Sequence, residues 1–385
     1  MTATALRNAG LGDLVTLLKS QQARKLDVVM PASSLWSRGG DILVHGVKPV
    51  LEADGVTDPN GRYAPTSVFD SGLSAKLGIP FTYLRRLRSE GIAHVLDFNV
   101  NGLLHEYRDA DGSVLRPADD RKFLVRLFTG ADGAQGVARA LLSDKYRMIE
   151  NLDVLMAALD GVNQTGVQVE IQGADLTDSR MYVRIAAPGI QALAPELLKD
   201  YRSPFTGNRG ADNPVVFAGF VISNSETGGG SFTVTPRITF QVCTNGMTVT
   251  TDAMRAVHLG GRQDDGIVNW SERTNRLSLA LVRSRTADMV RTCLNKDYME
   301  SVIRKATEKA GKPVDKPVDE IKVVGKALGY TQAEQDGILS HFIKGSDLTA
   351  GGLMNAVTSW AQEVEDADRA SELENSALRV LTAVR

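Results

Sequence analysis

The fold is decided by the stretch FVISNSETGGGSFTVTPRITFQVCTNGM, residues 220–247. It places a turn with three glycines between two runs of strand-forming residues, 214–223 and 231–244. In the second run apolar and polar side chains alternate, which is typical of a strand with one face in the core and one face towards water. The pattern therefore predicts an antiparallel hairpin. The side chains expected in its core are Phe232, Val234, Ile238, Phe240 and Val242.

The turn between these strands is the first candidate site. Asn224, Ser225 and Thr227 bond their own backbone in many turns, so a plain hairpin explains them. The glycines lead into a strand rather than a helix, which argues against a phosphate-binding loop. Glu226 is the one residue that a hairpin does not require, and we expect it to be solvated at the tip. The alternative is a ligand loop made of Asn224, Ser225, Glu226, Thr227, Asn245 and His258.

An enzyme built on this region is a further alternative. Cys243 with His258 would supply a nucleophile and its base, but no third residue that orients the histidine is evident. No spacing typical of a metal site is present either. We therefore predict no catalytic residue, no cofactor and no metal. The enzyme alternative is kept for a site around Glu226, Cys243, Asn245 and His258.

A second candidate site is the polar face of the predicted sheet. In SRMYVRI, residues 179–185, basic and aromatic side chains alternate with apolar ones. Beside Arg237 and its neighbouring threonines, this face would show arginines, hydroxyls and one aromatic ring to solvent. Arginine and hydroxyl groups bind phosphates, and a tyrosine stacks on a base, although an ordinary wet face is the alternative. The candidate nucleic-acid-binding residues are Lys145, Arg147, Arg180, Tyr182, Arg184 and Arg237.

Composition limits the class of protein. The chain has 385 residues, 43% of them hydrophobic and 23% charged, which is ordinary for a globular protein. A formal net charge of −2 means that any basic surface must be local. Two cysteines without a CxxC motif suit a reducing cytoplasm. No signal peptide or membrane span is predicted, so we expect a cytoplasmic protein that does not contact membranes.

The expected fold class is α+β, an antiparallel sheet core with helices followed by a helical C-terminal region. We divide the chain into an N-terminal arm with a short helix (1–60), the α+β core with hairpin 214–244 (61–270) and the helical region (271–385). The repeated Lys-Pro-Val-Asp makes 311–320 a linker, because proline disfavours helix on both sides. Helices are expected over 318–329, 331–343 and 349–382.

Residues 70–92 contain a pair of short helices separated by Gly78 and Pro80. The pair is basic, which is typical of a DNA-reading helix-turn-helix, but such a pair alone is weak evidence. We favour a structural interpretation in which its apolar residues enter the core. These residues are Leu77, Ile79, Leu84 and Leu87.

Several segments occur together in an order that is similar to a known family. They are AKLGIPFTYLRRL (75–87), ARALLSDKYRMIENLDVL (138–155), FVISNSETGGGSF (220–232), QVCTNGM (241–247), AVHLGGR (256–262), LMNAVTSWAQ (353–362) and DADRASELENSALRVL (366–381). Over residues 60–385 the chain resembles the phage and plasmid family catalogued as domain of unknown function 932. The resemblance implies a phage, prophage or plasmid origin and work in a bacterial host. That family carries no established activity or catalytic residues.

The residues and the resemblance together favour a non-enzymatic nucleic-acid-binding protein that binds or anneals single-stranded DNA. A hairpin followed by basic helices is similar, at a coarse level only, to phage single-strand annealing proteins of the Red-beta kind, which act in recombination as rings. Because those proteins act as rings, a homo-oligomer is one expectation for this chain. The runner-up is a host-directed interaction or anti-defence factor that uses the acidic C-terminal helices. Its partner would be a host protein.

Overall fold

The computed structural model describes residues 5–52, 55–130, 135–146, 149–242, 246–250, 253–256 and 272–384. Two large β-sheets, accompanying helices and a helical C-terminal region make up this part of the chain. The predicted α+β class is therefore confirmed. Among the described residues, no helix combines the length and apolar character needed to cross a membrane.

The strands follow one another from Leu6 to Ala256. They are β1 Leu6–Ala9, β2 Lys25–Pro31, β3 Leu35–Arg38, β4 Asp41–Val44, β5 Val50–Glu52, β6 Gly55–Thr57, β7 Gly61–Pro65, β8 Tyr107–Arg108, β9 Val114–Arg116, β10 Lys122–Phe128, β11 Gly136–Ser143, β12 Glu170–Leu176, β13 Met181–Leu193, β14 Val215–Asn224, β15 Phe232–Phe240, β16 Gly246–Thr248 and β17 Met254–Ala256.

The helices are distributed through the chain and end it. They are α1 Leu11–Arg24, α2 Ser67–Leu77, α3 Phe81–Ser89, α4 Ala93–Leu104, α5 Asn151–Asn163, α6 Pro195–Leu198, α7 Glu272–Cys293, α8 Lys296–Ala310, α9 Pro317–Leu328, α10 Gln332–Gly345, α11 Ala350–Trp360 and α12 Ala367–Ala383.

Sheet A has the order β1-β12-β13-β14-β15-β16, with β17 also paired to β15, and all its pairings are antiparallel. The predicted hairpin is its centre, since β14 and β15 pair from Val216 opposite Phe240 to Ser223 opposite Thr233. The last two residues predicted for the second strand lie outside the described residues. The five side chains predicted for the core are all buried, namely Phe232, Val234, Ile238, Phe240 and Val242.

Pro236 shows how a proline is accommodated in this sheet. On one side it lies opposite Phe220 of β14. On the other side β15 pairs with β17 up to Val234 and with β16 from Arg237 onwards, so Pro236 lies between these two partners. A residue without an N–H group fits there, because neither ladder requires its donor.

Sheet B has the order β2-β10-β11-β7-β4-β3, and only the pair β11–β7 is parallel. The first 60 residues supply β1 to sheet A and β2 to β4 to sheet B. The region expected to be an arm thus belongs to both sheets. Its first two strands pair with distant segments, Leu6 with Leu176 and Val28 with Val125, which a local pattern does not reveal.

Two hydrophobic cores accompany the two sheets. The larger lies between sheet A and helices that include α1, α5 and α11, and the smaller between sheet B and α2, α3 and α4. Leu84 and Leu87 of α3 are buried in the smaller core, while Arg85 and Arg88 pair with the buried Asp70 of α2. The structural interpretation of the basic helix pair is therefore confirmed.

The C-terminal region differs from expectation in two places. The segment expected as a linker is anchored, because Val314 donates a backbone hydrogen bond to Leu348 and Ala350 donates one to Lys312. The helix expected over 349–382 is two helices, α11 and α12. Asp366 separates them, since its carboxylate accepts from the first backbone N–H groups of α12 and so begins a new helix.

Helix α12 covers part of the outer face of sheet A. Its apolar side, with Leu373 and Val380, belongs to the larger core. Its polar side contacts the sheet, since Glu374 pairs with Arg237 and the backbone carbonyl of Glu374 accepts from the hydroxyl of Thr248. The face that carries the predicted binding residues therefore lies under a helix.

Candidate functional site

Glu226 lies between the two sheets rather than at a solvated tip, so that expectation was wrong. Only 2% of the residue is exposed. Its Oε2 accepts from Arg139 Nη2 at 2.8 Å, and its Oε1 accepts from the backbone N–H of Asn151 at 2.8 Å. Lys25 Nζ donates to Oε1 at 3.3 Å. The hairpin tip of sheet A is thus tied to sheet B, from which both Arg139 and Lys25 come.

Arg126 completes this set of charges, and its side chain is fully buried. It donates to both oxygens of Asp27 at 2.9 and 2.8 Å, and to Glu150 at 2.9 Å. Its Nη1 donates to the backbone carbonyl of Glu226 at 2.7 Å. We call this group the Glu226 cluster. Its members are Lys25, Asp27, Arg126, Arg139, Glu150 and Glu226.

The protonation of the cluster argues against catalysis by Glu226. Burial alone would raise the pKa of Glu226, but Arg139, Lys25 and Arg126 lower it to about 2. Burial is also the main reason why the pKa of Lys25 falls to about 8, although two carboxylates face its ammonium. A carboxylate held ionised by three cations is a poor general base. The cluster acts as a connection between the sheets.

Three other residues of the proposed ligand loop also bond within the protein. Asn224 donates to Asn151 at 2.9 Å, Ser225 donates to the carbonyl of Ser179 at 2.7 Å, and Thr227 donates to that of Asp178 at 3.0 Å. All three side chains are buried.

The three remaining residues of the ligand-loop and enzyme alternatives lie outside the described residues, namely Cys243, Asn245 and His258. The other cysteine, Cys293, is buried, and burial raises the pKa of its thiol to about 12, so it is not a reactive thiolate. Within the described ranges, no three side chains of the His, Cys, Asp and Glu types are grouped to hold a metal ion.

The outer face of sheet A brings four of the six predicted binding residues together. The registers align Arg184 with Val221 and Thr235 in one row, and Tyr182 with Ser223 and Thr233 in the next. Rows two residues apart are separated by about 6.6 Å along a strand. The expectation of open exposure was wrong, because Tyr182 and Arg237 are 7% and 4% exposed. They line a cleft between the sheet and α12.

The first part of this cleft is a cavity of about 490 Å³ that we call the arginine chamber. Arg7 from β1, Arg184 from β13 and Arg237 from β15 enter it from three strands. Two carboxylates oppose these three cations. Asp175 pairs with Arg7 at 2.9 Å and with Arg184, and Glu374 pairs with Arg237 at 3.1 Å. The group therefore has a formal surplus of one positive charge.

A further observation makes the arginine chamber a candidate binding site. Arg184 and Arg7 are still 14% and 27% exposed at the side chain, so their guanidinium groups are reachable from the cavity.

The second part of the cleft is a cavity of about 680 Å³ that we call the hydroxyl chamber. Tyr182 lines both chambers and donates to Asp368 of α12 at 2.9 Å. Arg180 is held at the rim, where its Nε donates to the carbonyl of Gly229 at 2.9 Å. Serine and threonine side chains of sheet A and its adjoining turns supply most of the remaining polar lining. They include Ser223, Thr233 and Thr235 on β14 and β15, and Ser231 and Thr250 next to the strands.

Of the other two predicted binding residues, one lies elsewhere and one is not described. Lys145 is exposed in the turn after β11, which belongs to sheet B, and it lines neither chamber. Arg147 lies outside the described residues. The residues that sequence reasoning missed are Arg7, Asp175, Asp368 and Glu374. Arg7 and Asp175 are 168 positions apart, so no local pattern connects them.

The sequence contains one weak signal for the Glu226 cluster. Arg126 interrupts the apolar run KFLVRLF, and a lone charge within a buried strand indicates a buried ion pair.

Comparison with known proteins adds no identification: the chain matches no protein-family model, no curated protein and no solved structure.

Proposed function

We propose that the protein binds a single-stranded nucleic acid, with a phosphate held in the arginine chamber. The observation that carries the proposal is the convergence of Arg7, Arg184 and Arg237 on one cavity in which cations outnumber carboxylates. Guanidinium groups recognise phosphate through paired N–H donors. The proposal rests on this site and retains the phage or plasmid origin only through the resemblance.

The shape of the cleft favours a single strand or its end over a duplex. Cavities of about 490 and 680 Å³ lie in the usual size range of pockets for small molecules, which suits one or two nucleotides. Helix α12 lies over the sheet, so an intact duplex does not fit against it. Annealing of two strands would then require a second site or a second copy of the chain.

The alternatives have less support. Enzymatic use of Glu226 is disfavoured by its ion pairs with Lys25 and Arg139. Interaction with a host protein through the C-terminal helices would use acidic side chains that face solvent. Two acidic side chains of α12, Asp368 and Glu374, contact sheet A instead.

Two substitutions with opposite charge changes test the proposal. Arg7→Gln removes one cation while leaving Asp175 paired with Arg184, so affinity for a labelled oligonucleotide should fall. The slope of log affinity against log salt should flatten by about 0.7 for one lost phosphate contact. Glu374→Gln removes the competing carboxylate but keeps an acceptor for Arg237, so affinity should rise. The measurement is fluorescence anisotropy from low to physiological salt.

Glu308→Gln is the matched control for Glu374→Gln. Glu308 is exposed on α8 and lines neither chamber, so it makes the same charge change elsewhere. Absence of binding by the wild-type protein at low salt would overturn the proposal. So would an equal effect of Glu374→Gln and Glu308→Gln, because affinity would then follow net charge alone. Native mass measured with the oligonucleotide would give the number of copies bound.

A further inference from the structure

The two chambers of the cleft carry charges of opposite sign. The hydroxyl chamber is lined by two carboxylates of α12, Asp368 and Glu372, and by one cation, Arg180. The guanidinium group of Arg180 is engaged with the carbonyl of Gly229. A phosphate is therefore disfavoured in the hydroxyl chamber and favoured in the arginine chamber.

The spacing of the two chambers suits the two ends of one nucleotide. Tyr182 borders both of them, and its row of the sheet is one step of about 6.6 Å from the row of Arg184. A nucleotide that places its phosphate among the arginines directs its base along the strands, past Tyr182, into the hydroxyl chamber. Serine and threonine hydroxyls there, such as Ser223 and Thr233, both donate and accept hydrogen bonds.

We propose that the hydroxyl chamber is a base-reading subsite that prefers guanine, through the carboxylate of Asp368. Guanine presents two neighbouring N–H donors on one edge, which match the two oxygens of a carboxylate. Each oxygen of Asp368 already accepts one hydrogen bond, from Tyr182 and from Thr177, and has a second lone pair for the base. Uracil and thymine present one N–H between two carbonyl oxygens, and a carboxylate repels those oxygens. Cytosine and adenine each offer one amino group to the carboxylate, so their affinities should lie between that of guanine and that of uracil or thymine. This inference rests on the proposed function, because it assumes a phosphate in the arginine chamber.

The experiment measures binding of GMP, CMP, AMP and UMP to the full chain by isothermal titration calorimetry. All four have the same sugar and phosphate, so differences report the base. GMP should bind about tenfold more tightly than UMP, as expected for one good paired contact to a base. Asp368→Asn keeps the size of the side chain and an acceptor for Tyr182, and it should abolish most of this preference. Asp336→Asn, exposed on α10, is the matched control.

The outcomes separate the two proposals. If the wild-type protein binds none of the four nucleotides and no oligonucleotide, both proposals are wrong. Equal affinity for all four, with the Arg7→Gln effect present, overturns base reading only. A preference for GMP that survives Asp368→Asn also overturns it. Should that variant not fold, as judged by circular dichroism, Glu372→Gln removes the second carboxylate, which is 64% exposed, and should weaken the same preference.

Discussion

The Glu226 cluster and the arginine chamber contain the same chemical groups in different surroundings. In the cluster, Glu226 is enclosed by donors from Lys25, Arg139 and a backbone N–H, and it lines neither chamber. In the chamber, Glu374 has one cation, Arg237, and an open cavity beside it. Ion pairs that are fully enclosed hold the two sheets together, whereas an ion pair that borders a cavity can exchange one partner for a ligand.

This difference implies that substitutions in the cluster change stability and those in the cleft change binding. Buried charges cost several kcal/mol when a partner is removed, because the remaining charge is left without water. In the arginine chamber the side chains of Arg7, Arg184 and Glu374 are 27%, 14% and 13% exposed, so the loss of a partner costs less there. The following predictions test the contrast from the largest expected effect to the smallest.

Arg126→Met should lower the free energy of unfolding by about 3–5 kcal/mol, since it leaves Asp27, Glu150 and the carbonyl of Glu226 without their buried partner. Urea unfolding followed by circular dichroism measures the change. Arg86→Met, on the exposed face of α3, is the control and should leave stability almost unchanged. A small effect of Arg126→Met would show that the cluster does not hold the fold.

Acidification should lower the free energy of unfolding through the protonation of Glu226. Because the pKa of this carboxyl is lowered from 4.5 to about 2 on folding, its contribution to stability is full above pH 4.5. That contribution is lost as the pH falls from about 4.5 towards 2. Glu226→Gln should remove this part of the pH dependence. Urea midpoints measured for both proteins between pH 3 and 7 should therefore converge at the acid end, and parallel curves would contradict the assignment.

Tyr182→Phe should lower stability by only about 0.5–1.5 kcal/mol, because it removes one hydrogen bond to Asp368 and keeps the buried ring. Its effect on oligonucleotide affinity should be larger than the effect of removing one hydrogen bond in the Glu226 cluster. The salt slope should be nearly unchanged, since no charge is lost. Thermal melts and anisotropy on the same samples give both values. A large loss of stability would place Tyr182 with the structural residues.

The hairpin and most helices could be predicted because their determinants are local. Alternation over 231–244 determines which side chains enter the core, and a proline-containing repeat separates α8 from α9. The polar face of β13 and β15 was correctly identified as one surface, with Arg184 and Tyr182 two residues apart on it. The break between α11 and α12 was missed, although Asp366 provides a local capping signal for it.

The sequence by itself determined the central hairpin, most helices and which side chains of the hairpin share a face, since those depend on neighbours within a few positions. Only the tertiary structure decided what covers each face. Glu226 is buried because Lys25, 201 positions away, comes to it, and the outer face became a cleft because Glu374, 137 positions from Arg237, brings α12 over it. The physical reason is that burial and charge pairing depend on distant partners, which alternation and spacing do not encode.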